Sequence, residues 1–352
     1  MAGAINTPET TTTLEFTSLP SNQTVPDVKF MDAHQFIWVF VMPFVLVAGI
    51  VGNILSVIVL QSKSFRHTTT GVYLPLTAIA DIVFLLTGGL EIFEVADVVF
   101  SAREYNVWTC RTYKVFHYTS GDVSIWLLVA FTFDRFVAVC FPLSKRRVCT
   151  WKRAVIASAT IVFLSAAKNV HEFWTRGPEY NRKTGEFLRV CGSQAQYSYF
   201  LDYVRPWIAF TLVNALPFII ILFFNCAIVH SLIRAQKVRN AATTTAPTGT
   251  GARPSLSGSS FRQTTFMCLG ISFAFLVCIT PSIVVLIGKP YWKRAAATVY
   301  RDAKAVANFL ALLNHCVNFF LYCVTGQRFR YELKATLTCS RGEAPQSPIT
   351  PA

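Results

Sequence analysis

Phe131-Thr132-Phe133-Asp134-Arg135-Phe136-Val137-Ala138-Val139-Cys140 closes a largely apolar run that begins near Thr112. An acidic and a basic residue side by side, near the end of an oily segment, decide how the chain is read. At the mouth of a membrane helix such a pair is costly to keep beside lipid, so its presence there points to function.

Six further apolar runs surround this one. A hydrocarbon core of about 30 Å takes roughly 20 mostly apolar helical residues to cross. Spans are expected at Phe36–Leu60, Val72–Val95, Thr112–Cys140, Ala154–Trp174, Trp207–Val229, Thr265–Ile287 and Val306–Val324. Charged residues make up 14% of the chain, against about 25% in a soluble domain. Runs such as Phe36–Leu60 are too long for the buried helices of an oily soluble protein.

Loop charge gives the orientation. Lys63 and Arg66 follow the first span; Lys145, Arg146, Arg147, Lys152 and Arg153 follow the third; Arg234, Lys237, Arg239, Arg253 and Arg262 follow the fifth. None of these stretches holds Asp or Glu. The positive-inside rule places them in the cytoplasm and the N-terminus outside. The loop before the seventh span, with Lys289, Lys293, Arg294, Arg301 and Lys304, runs against the trend. The net charge of +14 therefore reflects orientation, and no nucleic-acid partner is expected.

The expected organisation is all-α. Residues 1–35 form an extracellular tail and 36–324 a seven-helix membrane domain, with 238–262 as a flexible third intracellular loop. Residues 325–338 form a short amphipathic helix along the inner membrane surface, and 339–352 a cytoplasmic tail. The first 30 residues have no apolar core and are not read as a cleavable signal peptide. Asn22-Gln23-Thr24 is a glycosylation sequon on the outer side. Phe329, Leu333 and Leu337 recur at four-residue steps among basic neighbours, the pattern of an interfacial helix. Cys339 beyond it is a candidate palmitoylation site.

Motifs in every span but the fourth then fall into one register. Gly52-Asn53 lies in the first span, Leu76-Thr77-Ala78-Ile79-Ala80-Asp81 in the second, and Cys110 stands 24 residues before Asp134. Pro217 lies in the fifth span, Phe275, Cys278 and Pro281 in the sixth, and Asn318-Phe319-Phe320-Leu321-Tyr322 in the seventh. In this order and spacing the chain resembles the rhodopsin-like G-protein-coupled receptors, from about Val51 to Leu333. Ser64–Leu74 and Val317–Arg330 are most similar to the FMRFamide-type and related invertebrate neuropeptide receptors. The chain departs from the pattern at Phe136, Asn225, Ile279 and Phe319, where the family carries Tyr, Tyr, Trp and Pro, and it lacks a mid-helix tryptophan in the fourth span.

The resemblance implies a plasma-membrane receptor that binds an extracellular peptide and activates a heterotrimeric G protein through outward movement of the sixth helix. A small-molecule chemosensory receptor of the same fold is the alternative. Arrestin, receptor kinases and membrane lipid are implied partners. Cys110 and Cys191 are implied as a disulfide, and Asp134 as the resting partner of Arg135, with Tyr322, Pro217 and Pro281 in the switch. A sodium ion is implied at Asp81 with Ser124, Asn314 and Asn318, a set of oxygen-bearing side chains suited to a hard cation; no other cofactor is implied. His117 stands where amine receptors carry aspartate, and Leu312 where photopigments carry the retinal lysine, so neither ligand class is expected.

Lys114, His117 and Tyr118 are candidate ligand contacts from the third span. Glu91 and Glu94, three apart on one face of the second, could pair with a peptide arginine. Asp122 and Lys168 are unusual charges with no assigned role. A transporter or channel would need a continuous polar path, whereas the charges within the spans gather at the switch positions. No catalytic constellation suggests an enzyme, and the six histidines show no metal spacing.

Overall fold

The computed structural model describes residues 37–95, 105–181, 184–244, 256–295 and 297–338. Six of its helices are long and apolar enough to cross a membrane: Met42–Leu60, Thr70–Gly89, Val107–Cys140, Trp151–Thr175, Arg205–Val238 and Thr265–Val285. A seventh span is a bent pair, Asp302–Cys316 and Asn318–Thr325, meeting at 52°. The chain is a seven-helix membrane bundle.

The first span shows why the sequence folds this way. Phe44, Val47, Val51, Ile54 and Ile58 are exposed and recur every three or four residues, forming one helical stripe. The opposite face buries Gly49, Gly52, Asn53 and Ser56. A soluble helix would hide the first set and expose the second. Here the apolar stripe meets lipid, and the polar residues turn inward, where another helix can satisfy them. Small residues set the spacing: a Cβ on Gly49 would fall 2.5 Å from Cys316 Sγ, and one on Gly52 would fall 2.9 Å from Phe319 Cβ. First and seventh helices therefore touch backbone to side chain.

Several helices run past the limits expected from apolarity. The third starts at Val107 because Asn106 caps it, its Oδ1 accepting from the Thr109 amide at 2.8 Å. The helix of the fifth span continues to Thr244 and that of the sixth begins at Leu256, so both extend into the segment expected to be a flexible loop. Polar turns beyond the bilayer leave no hydropathy signal.

Pro217 marks an irregularity in the fifth span. The turns before it, Phe210–Ala215, are wound wider than an α-helix. In that pitch the Leu212 carbonyl would look to residue 217, a proline with no N–H. Trp126 of the third span supplies the donor instead, its indole N–H reaching Leu212 O at 3.1 Å.

Outside the membrane, Arg176–Tyr180 and Phe187–Ser193 pair as an antiparallel hairpin, β1 and β2. Sequence reading had not foreseen it. Cys191 of β2 is disulfide-bonded to Cys110 at the outer end of the third helix, with Cα atoms 5.3 Å apart. At the inner end, Gln327–Leu337 forms the surface helix. Phe329 is buried against Phe319 and Tyr322, Leu333 packs on the bundle, and Leu337 is exposed. Arg328 Nη2 donates to Ser64 O at 2.6 Å and ties this helix to the first inner loop.

Candidate ligand cavity and acid–arginine pair

A cavity of about 340 Å³ opens between the third, fourth, fifth, sixth and seventh spans. Tyr118, Asp122, Lys168 and Arg205 bring polar groups to its wall, and Ile279, Asn314 and His315 border it deeper in the bundle. Asp122 and Lys168, which had no assigned role, pair across the third and fourth helices at 2.7 Å. Asn169 Nδ2 donates to the same Asp122 oxygen at 2.6 Å. The pair is thus held from two helices and a third polar group, as a charge within a membrane bundle requires.

A second ionic group lies at the outer rim. Glu172 is wholly buried; its Oε2 accepts from Arg176 Nε at 2.6 Å, and its Oε1 lies 3.0 Å from Arg205 Nε as an ion pair. The Arg205 guanidinium also lies 4.3 Å over the Tyr118 ring. One arginine thereby connects the fifth helix to the third and to the short turn Glu172–Thr175, while Arg176 extends the contact into β1. Neither Glu172 nor Arg205 was singled out from sequence. The available signal was an isolated charge at the end of an apolar run, which needs a partner wherever the helix is buried.

Of the expected ligand contacts, Tyr118 lines the cavity. His117 does not; its ring stacks on Phe84 with centroids 4.5 Å apart and its Nδ1 lies 3.0 Å from Thr87 Oγ1. Lys114 is buried with its ammonium 5.2 Å from the Tyr113 ring and 5.8 Å from the Tyr118 ring. The side chains of Glu91 and Glu94, together with Asn22 and Cys339, lie outside the described residues.

The Asp81 carboxylate is fully buried between three helices. Its Oδ1 receives the Ser124 hydroxyl at 2.5 Å and lies 2.6 Å from His315 Nδ1; its Oδ2 receives Asn318 Nδ2 at 2.8 Å. Asn318 thus turns its amide nitrogen, not its oxygen, to the carboxylate. Asn314 borders the ligand cavity and has no hydrogen bond to Asp81 among the described residues. A void of about 10 Å³ lies nearby, touched by Ser124, Asn314, Asn318 and Tyr322 but not by Asp81. Hydrogen-bond donors, with no cage of oxygens, surround the carboxylate, so the donor set does not fit a sodium ion.

At the opposite end of the third helix, Arg135 Nη2 pairs with Asp134 Oδ2, and both residues are buried. Thr69, the residue just before the second helix, sits between them: its hydroxyl donates to Asp134 Oδ2 at 2.9 Å and accepts from Arg135 Nη2 at 3.0 Å. The guanidinium carbon lies 5.3 Å over the Phe131 ring. Arg135 Nε is buried without a hydrogen-bond partner among the described residues. Thr132, one helical turn away, lies 3.3 Å from Ser272 Oγ and ties the third helix to the sixth. Tyr322 is buried against Phe329, with no hydrogen bond to Arg135 among the described residues. Cys149 Sγ donates to the Asp134 carbonyl at 3.5 Å. Burial and the nearby Asp134 charge push the Cys149 thiol up to about 12.

A bundle of this kind, with a cavity open to one side and an acid–arginine pair at the other, defines a seven-helix membrane receptor. Residues 52–322 match the 7 transmembrane receptor (rhodopsin family) model, and the chain belongs to that family, whose members are receptors rather than enzymes. It is 27% identical over 310 residues to the allatostatin-A receptor of Bombyx mori, covering 84% of this chain and 78% of that one. It is 27% identical over 298 residues to the FMRFamide receptor of Drosophila melanogaster, covering 81% of this chain and 50% of that one. A third relative is the thyrotropin-releasing hormone receptor of Mus musculus, 28% identical over 138 residues, which are 39% of this chain and 34% of that one.

Proposed function

We propose that this chain is a plasma-membrane receptor, N-terminus outside, that is switched by an extracellular peptide and activates a heterotrimeric G protein. The observation that carries the reading is the third helix. Its outer half contributes Tyr118, Gly121, Asp122 and Ile125 to the cavity, and its inner end carries Asp134 and Arg135. Twelve residues separate Asp122 from Asp134, a rise of about 18 Å. One rigid element thus spans ligand site and switch.

A cavity of about 340 Å³ suits the end of a peptide or a small molecule. Its ionic groups offer both signs of charge, and the names of the relatives are those of peptide receptors. Ligand shifts the population toward an open inner face because it binds that state better. In the resting arrangement Asp134 and Thr69 hold Arg135 at the entry to the second helix. Opening frees Arg135 for the G protein, with Pro217 and Pro281 as the points where the fifth and sixth helices deform and Tyr322 moving in from the seventh. Receptor kinases and arrestin are the expected partners of the opened cytoplasmic face.

The test is a calcium and cAMP readout in cells expressing the chain, challenged with a library of amidated neuropeptides. A dose-dependent response that Arg135→Ala abolishes at unchanged surface level is expected. Silence to peptides with a response to small molecules would instead make it a chemosensory receptor of the same fold.

A further inference from the structure

The buried carboxylate of Asp81 poses a requirement: without a compensating partner, a charge so deep in the bundle would be expensive. Ser124 and Asn318 supply neutral donors to it. The third contact, His315 Nδ1 at 2.6 Å, is the only ring nitrogen or basic group among the described residues bonded to it. An ionised carboxylate only accepts, so Nδ1 carries the hydrogen. We propose that His315 is a built-in substitute for an inter-helix sodium ion, so that this receptor holds its second, third and seventh helices together without one.

Three features of the site make the imidazole a plug as well as a partner. It fills the volume at the carboxylate: His315 and Asp81 are both buried, and the adjoining void holds about 10 Å³ and excludes Asp81. That space is about one water probe, too little for a cation with its remaining hydration waters. The ring is held in place by Phe84, whose ring packs on it tilted by 32° with centroids 4.1 Å apart. Its backbone is locked too, since Asn53 Nδ2 of the first helix donates to His315 O at 2.9 Å, beside the bend of the seventh span. The remaining titratable groups nearby are Cys316 and Tyr322 of the seventh span, and neither is a cation that could replace the imidazole.

The substitution also changes what the ligand can reach. Asn314 and His315 border the ligand cavity. The imidazole therefore has the cavity on one side and Asp81 on the other, and a bound ligand can act on the Asp81 contact without displacing an ion.

The test is thermal unfolding of the purified full-length receptor in detergent, followed by intrinsic fluorescence, in sodium chloride against choline chloride at equal ionic strength. Wild type is expected to unfold at the same temperature in both. His315→Ser opens the site and should gain a saturable, sodium-specific rise of roughly 2 °C or more, lost again when Asp81→Asn is added. His315→Gln, whose amide can still donate to Asp81, should remain indifferent to sodium. Sodium-specific stabilisation of wild type that Asp81→Asn removes would overturn the proposal. So would a folded His315→Ser that ignores sodium, since the imidazole would then not be what excludes the ion. If His315→Ser does not fold, His315→Gln and wild type decide: sodium sensitivity in either contradicts the substitution, and indifference in both upholds it.

Discussion

Thr69 stands within hydrogen-bond distance of both members of the Asp134–Arg135 pair, donating to Asp134 at 2.9 Å and accepting from Arg135 at 3.0 Å. Thr69 immediately precedes the second helix, so the pair is fastened to a neighbouring segment and is more than a local contact within the third. Thr69→Val keeps the shape and removes both hydrogen bonds. A hydrogen bond to a charged group contributes about 1.5 kcal/mol or more, and part of that loss biases the open state. Ligand-free signalling should therefore rise roughly five-fold at equal surface level. An unchanged basal level would separate Thr69 from the latch.

The Asp122–Lys168 pair is half open to the cavity, with the Lys168 side chain 24% exposed and that of Asp122 6% exposed. Asp122→Ala leaves the ammonium without its counter-charge beside an apolar wall, and the folded receptor should lose about 3 kcal/mol. Adding Lys168→Met removes the stranded charge and should restore about half of the loss. Thermal unfolding in detergent checks both values. Equal damage in single and double variants would mean that the pair does not act as a unit.

The Cys110–Cys191 bond closes a loop with a sequence separation of 81 and fixes β2 over the outer mouth of the bundle. Loss of a native disulfide typically costs a few kcal/mol. Cys110→Ala and Cys191→Ala should each lower surface receptor several-fold, and the double variant should be no worse than either single one. Wild-type surface levels and signalling in both single variants would make the bond dispensable.

Cys149 lies outside the membrane-spanning segments, and its thiol is pushed up to about 12 by burial first and by Asp134 second. The thiolate is the reactive form. Because the shift is upward, alkylation of Cys149 at pH 8 should be slow compared with a free thiol of ordinary acidity, and should still be accelerating above pH 10. Asp134→Asn removes the second cause and should speed it. Peptide mapping after timed alkylation reads the rate directly.

The seven spans, their order and the Asp134–Arg135 pair were legible because lipid imposes a long apolar run on each helix and makes every charge within it conspicuous. Partners were harder to read. Asp122 and Lys168 stood out individually, but nothing in a linear pattern says that residues 46 apart will meet. Arg205 and Glu172 sit at helix ends, where a charge is ordinarily solvated, and only the folded rim shows them enclosed. The seventh span was the subtlest case. It bends by 52° at Val317, although Phe319 stands where the rhodopsin-like pattern has proline. His315 was passed over because oxygen-bearing residues drew attention to Asn314 and Asn318. Helical phase brings residue 315 to Asp81 with residue 318, three positions on, and turns residue 314 toward the cavity.

Nucleotide exchange on a heterotrimeric G protein by the purified, reconstituted receptor tests the central claim most directly. With an amidated peptide that binds the wild-type chain, exchange should accelerate in proportion to occupancy. Arg135→Ala should bind the same peptide and leave exchange at its background rate. Thr69→Val should accelerate exchange with no peptide present. Binding without any acceleration across the G-protein classes, in wild type and in Thr69→Val alike, would contradict the account of a peptide-switched receptor whose latch is the Asp134–Arg135 pair.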